Sequence, residues 1–222
     1  MTEATALLRL LAWLSPLFPT GGYAYSHGLE WAVESGNVRD GEELRDWLET
    51  TLVYGAGRSD AIFLRHAHRA SDNAEALAGI AELARAAVPG RERQVETIAQ
   101  GSAFMVAAAA WSSVPPLSEN DMHAMPYPVA VGLVAGVHAV PEDETALAYL
   151  HAVTSNLISA AVRLVPLGQS LGLAVLAALH PVILRVGIAT RDCALEDIGG
   201  SVFRADLASL RHETQYSRLF RS

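Results

Sequence analysis

Apolar residues recur along most of the chain at steps of three and four, the period of a helix with one buried face. The clearest example runs from Glu42 to Ala67. Leu44, Trp47, Leu48, Leu52, Gly55, Ser59, Ile62, Phe63 and His66 fall on one stripe. Asp40 stands where a cap is needed, with Glu43 three residues on. The start is acidic (Glu42, Glu43, Asp46, Glu49) and the end basic (Arg65, His66, His68, Arg69), as the helix dipole favours. Gly55 and Gly57 weaken this helix midway and mark a kink or a close contact.

The same period predicts a helix over 74–88, started by Asp72 with Glu75 and closed by Pro89-Gly90. Another covers 91–111 and stops before Pro115-Pro116. A turn over 118–128 leads into 129–140, where Gly132 and Gly136 suit tight helix packing. Pro141 opens a helix with an acidic first turn, Glu142 to Glu144, which runs on until Pro166. A last helical stretch spans 174–190. No run alternates as a strand does, no Asn-Gly hairpin occurs, and no period repeats at a fixed length. The expected fold is all-α: a single-domain helical bundle over residues 1–222 with a flexible C-terminal tail over roughly 192–222.

Composition narrows the function. Of 222 residues, 51% are hydrophobic and only 18% are charged, so part of the surface is expected to hide against partners. A formal charge of −8 with no basic stripe argues against nucleic acid. All sixteen basic residues are arginine, and the absence of lysine excludes a P-loop NTPase and a Schiff-base enzyme. Cys193 is the only cysteine, which points to the cytoplasm and rules out a thiolate metal cluster. Three stretches lack formal charge, over 97–118, 122–141 and 164–184. Gln100, Pro115-Pro116, His123, Pro126, Pro128, Pro166, Gln169, His180 and Pro181 interrupt them, so no membrane span is expected, although a small helical membrane protein is an alternative reading.

Candidate chemistry starts with Ser26, His27 and Glu30, which invite a hydrolase reading. Neighbours on a helix point in different directions, and no G-x-S-x-G elbow is present. The competing reading makes Ser26 the cap of a helix with Glu30 in its first turn, fed by a loop shaped by Pro16, Pro19 and Gly21-Gly22. His66 and His68 lie on different faces, and His123, His138, His151 and His180 are isolated, so no metal site within the chain is expected. Asn156, Ser159 and Arg163 form a polar line on an apolar helix. That line reads equally as interhelical packing or as a recognition face. The tail interleaves Tyr216, Leu219 and Phe220 with Arg211, Arg218 and Arg221, either to order on a partner or to dock on its own domain.

Three stretches, SPLFPTGGYAYSHGLEWAVESG, VRLVPLGQ and RHETQYSRLFRS, in this order in a chain of this length, resemble the urease accessory protein UreF family. The resemblance implies an all-helical, homodimeric and non-catalytic maturation factor. It implies a complex with a UreD/UreH-type accessory protein that recruits and regulates a UreG-type GTPase for nickel insertion into apo-urease. No intrinsic cofactor is implied; nickel is handled by the complex. The first motif maps to Pro16, Phe18, Pro19, Gly21, Tyr25, Ser26, His27, Gly28 and Glu30, a partner-binding surface. The second maps to Arg163, Pro166, Gly168 and Gln169, assigned to the dimer or GTPase-facing region. Some relatives carry lysine where this chain has Arg163. The third maps to Arg211, His212, Glu213, Tyr216, Arg218, Phe220 and Arg221, assigned to docking on the UreD-type partner.

Overall fold

A computed structural model describes residues 2–111 and 123–222. Its helices are α1 (Glu3–Trp13), α2 (Leu29–Glu34), α3 (Gly41–Tyr54), α4 (Ala56–Arg69), α5 (Ala74–Ala87), α6 (Arg91–Ala108), α7 (Tyr127–Val137), α8 (Glu142–Leu164), α9 (Gly168–Ala189) and α10 (Phe203–His212). Among the described residues there is no strand. The fold is all-α, as the periodicity predicts.

Several boundaries differ from expectation for identifiable reasons. The long stripe over 42–67 is two helices, because Gly55 leaves the helical region (φ −130°, ψ −141°) between α3 and α4. A Cβ at Gly55 would lie 2.8 Å from Cγ2 of Val202, so the break also admits the later chain. Asp40 does cap α3, its Oδ1 accepting from the N–H groups of Glu42 and Glu43. Glu43 reaches back to the N–H of Arg39 at 2.7 Å, one residue before the cap. The cap of α5 is Asn73, not Asp72, its side chain accepting from the N–H of Ala76. Helix α6 ends at Ala108. The Pro115-Pro116 stop and the first part of the turn over 118–128, residues 118–122, lie outside the described residues. Helix α9 begins at Gly168 and continues through Pro181. Pro181 sits on the exposed face, where water can satisfy the carbonyl one turn back.

Two apolar clusters hold the helices together. One gathers Leu10, Trp13, Phe18, Phe63, Phe104, Leu133 and Tyr149 around α7; the other gathers Leu44, Leu48, Leu157, Leu179 and Ile183 between α3, α8 and α9. Helices α4 and α8 contribute to both. Nine residues of α7, Tyr127 to Ala135, are buried. Its glycines permit this: a Cβ on Gly132 would lie 2.1 Å from the carbonyl oxygen of Leu64, and one on Gly136 would lie 2.4 Å from that of His68. Helices α8 and α9 are long and apolar enough to cross a membrane by length and composition alone. They pack on each other, and half of the qualifying window of α8 and 39% of that of α9 are buried inside the fold.

The segment from Asp192 is only partly loose. Outside α10 and a short turn at Leu195–Asp197 it carries no helix. Val202, Ala208, Ser209, His212, Gln215, Phe220 and Ser222 are nevertheless buried. The chain end is therefore part of the packed structure.

Candidate functional site

The end of the chain is held by α6. Glu92, Arg93, Glu96 and Gln100 lie three and four apart on this helix, so their side chains share one face. That face meets the loop before α2 on one side and the tail on the other. Glu96, 1% exposed, collects four donors on one carboxylate. They are His27 Nε2 at 2.6 Å, Gln100 Nε2 at 2.8 Å, the hydroxyl of Ser222 at 2.5 Å and the Arg93 guanidinium. Burial alone would raise the pKa of Glu96, but the Arg93 and His27 charges and hydrogen bonds outweigh it and hold the group at about 2. Burial lowers the pKa of His27, helped by Arg93 and opposed by Glu96.

Glu30 repeats the pattern in the first turn of α2. Its carboxylate accepts from the main-chain N–H of Leu219 at 2.6 Å and of Phe220 at 2.9 Å, and faces His212 Nε2 at 3.2 Å. His212 is fully buried, and its Nδ1 lies 2.7 Å from Glu92, which also receives Arg218 at 2.5 Å. The carboxylate of Glu213 accepts from the N–H groups of Arg91 and Glu92, capping α6 from the tail. Arg163 donates to the carbonyl oxygen of Tyr23 at 2.8 Å and lies 4.4 Å over the ring of Phe220.

The loop itself is strained where it meets this cluster. His27 has φ +55° and Gly28 φ +75°, and a Cβ on Gly28 would lie 2.5 Å from the backbone nitrogen of Ser209. Only glycine lets α10 lie this close. Ser26, fully buried, gives its hydroxyl proton to the main-chain oxygen of Ser222 at 2.6 Å and accepts weakly from the N–H of Glu30 at 3.3 Å.

The three sequence motifs thus meet at one junction, through Tyr25, Ser26, His27, Glu30, Arg163, His212, Glu213, Arg218, Phe220 and Arg221. Tyr25 is buried, and the N–H of Arg221 donates to the carbonyl oxygen of Ala24 at 2.9 Å. Other candidates stand outside. Pro166, Gly168 and Gln169 are exposed at the turn from α8 into α9; among the described residues they make no hydrogen bond or ion pair to the junction. Pro19 is exposed, Arg211 is exposed, and Tyr216 is fully exposed. The residues that sequence reasoning missed are the receivers on α6, with Asp60 on α4 and Tyr149 on α8. The spacing of Glu92, Arg93, Glu96 and Gln100 was the available signal. His151 and His180 are not isolated either: their rings lie 5.6 Å apart between α8 and α9.

Behind the junction are two cavities, of about 250 Å³ and about 20 Å³. His27, Asp60 and Arg93 line both. Asp60 accepts from the hydroxyl of Tyr149 at 2.9 Å. Burial, only partly offset by Arg93, pushes its carboxyl up to about 6.

No nucleophile faces a base here. Ser26 is turned to Ser222, His27 to Glu96 and Glu30 to the tail backbone, so the hydrolase reading fails on geometry. Fold and site define an all-helical protein whose motif residues tie its own segments together. Comparison with known proteins agrees. A family model described as UreF matches residues 38–180. The urease accessory protein UreF of Bradyrhizobium sp. strain BTAi1 is 56% identical over 229 aligned residues, spanning all of this chain and 95% of the relative. Those of Bradyrhizobium sp. strain ORS 278 and Rhodopseudomonas palustris strain BisB5 are each 54% identical, over 99% of this chain and 93% of the relative. The chain belongs to the UreF family of urease accessory proteins and is an accessory protein, not an enzyme. The first and third motifs lie outside the span of the family model but inside the full-length matches.

Proposed function

We propose that the protein is a urease maturation scaffold. As a homodimer in the cytoplasm, it binds a UreD/UreH-type accessory protein, and together they recruit and regulate a UreG-type GTPase that delivers nickel to apo-urease. Nickel is the cargo of that assembly. The observation that carries this reading is the 56% identity, over the whole chain, to a protein named urease accessory protein UreF. The junction supports a role in recognition: it holds a tail with exposed Arg211, Tyr216 and Arg221 against the loop of the first motif. The low charge content and the exposed Leu171, Leu173, Leu184 and Ile188 on α9 support self-association.

The test is co-expression of urease and the other accessory proteins with and without this chain. Urease is expected to remain largely nickel-free and inactive in its absence and to be activated in its presence. Sizing of the purified chain should give twice the monomer mass. Full urease activity and nickel content without the chain would overturn the proposal.

A further inference from the structure

The chain has sixteen arginines, and nearly every guanidinium is engaged within the molecule. Among the described residues only Arg91, Arg211 and Arg221 make no side-chain hydrogen bond or ion pair. All three flank the tail junction: Arg91 begins α6, Arg211 lies in the last turn of α10, and Arg221 follows the buried Phe220. Arg91 and Arg221 open, with Arg218, onto a single concavity of about 440 Å³ lined also by Tyr25 and Val95.

The concavity sets two carboxylates, Glu92 and Glu213, against the three guanidinium groups, which leaves it net positive. Glu92 is held by His212 and Arg218, and Glu213 by the N–H groups that start α6. The guanidinium groups of Arg91 and Arg221 make no ion pair among the described residues and are exposed, in a chain whose formal net charge is −8. Val95, 57% exposed, and Ala99 line the same concavity. Guanidinium forks beside an apolar floor suit carboxylates carried on a peptide. A phosphate group would look for free backbone N–H groups at a helix start, and Glu213 already occupies those of α6.

We propose that this concavity docks an acidic segment of a partner protein, with carboxylates meeting Arg91 and Arg221 and an apolar side chain seated near Val95. The inference rests on the scaffold reading above and supplies the chemistry of the partner's side. Both arginines project outward, so charge reversal leaves the junction in place. The double variant Arg91→Glu/Arg221→Glu, co-expressed with the UreD-type protein, is expected to bind it at least about tenfold more weakly than the wild type. Arg45→Glu, on α3, should bind like the wild type. Wild-type binding should weaken as ionic strength rises from about 0.05 to about 0.5 M, and the double variant should lose most of that dependence. An unchanged far-UV circular dichroism spectrum verifies the fold of each variant.

Wild-type affinity in the double variant would overturn the inference. So would release of the partner by inorganic phosphate at constant ionic strength, which would make the concavity an anion pocket. Truncation of Arg211–Ser222 separates the two levels. If truncation abolishes binding while charge reversal does not, the acidic docking fails and the scaffold reading stands. If the UreD-type protein binds no form of the chain, both fail.

Discussion

At the scale of single residues, Glu96 is the group on which the junction converges. One carboxylate satisfies donors from the first motif, from its own helix and from the tail. Its charge is what makes it useful, because Arg93 beside it is also buried. The substitution Glu96→Gln keeps the shape and removes the charge, leaving Arg93 without its ion-pair partner. Breaking a buried ion pair from one side costs about 3–5 kcal/mol. For a chain of this size that corresponds to a melting temperature lower by about 10 °C, measurable by differential scanning calorimetry. A change of less than about 2 °C would show that the carboxylate is incidental.

At the scale of elements, α10 docks on α2 because one glycine allows it. Gly28 combines a left-handed backbone with a Cβ position 2.5 Å from the Ser209 nitrogen. In Gly28→Ala the two helices must separate, so hydrogen exchange should accelerate across Phe203–His212 while α4 and α7 stay protected. Gly36→Ala is the control: it has the same φ of +75°, but nothing lies within 4 Å of its Cβ position. It should lose only the backbone preference, about 1 kcal/mol, with α10 unaffected. Equal exchange in both variants would remove close packing as the reason. The same scale shows what the sequence could and could not tell. Helices α5, α6 and α8 follow from period and punctuation, since those signals are local, whereas the period marks α9 only from 174 although it begins at Gly168. Gly55 is legible as the site of a kink or close contact, but the side chain it makes room for, Val202, lies nearly 150 positions away, which no local rule contains. The motifs were visible as rule-breaking stretches, but the meeting of the first and third on Glu92 and Glu96 was not. An acid at helical spacing reads as solvated surface until the tail covers it. The tail likewise lacked an apolar stripe long enough to declare that it would be buried. Its attachment depends on carboxylates elsewhere in the chain.

At the scale of the whole molecule, the buried charges set how stability varies with pH. Glu96, held at about 2 against an ordinary 4.5, stabilises the fold above pH 4.5, and this is lost as pH falls toward 2. His27, lowered from 6.5 by burial, also favours the fold less as pH falls below 6.5. Asp60 acts in the opposite sense. With a folded value of about 6 against 3.8, it is protonated in both states at low pH and contributes nothing there. Between those values the unfolded chain ionises first, so stability falls as pH rises. Above pH 6 the penalty is complete, about 2–3 kcal/mol. Asp60→Asn isolates it, because the amide oxygen still accepts from Tyr149 and the sites that oppose Asp60 are unchanged. Urea denaturation should find the variant more stable than the wild type by about 2 kcal/mol at pH 8, with the gap closing near pH 4. A variant less stable at pH 8 would mean that Arg93 and His27 support an ionised Asp60. The aspartate would then be a structural ion-pair member like Glu96. If the predicted gap is found, Asp60 is a group retained between two cavities at a cost in stability, as expected of a residue kept for work other than folding.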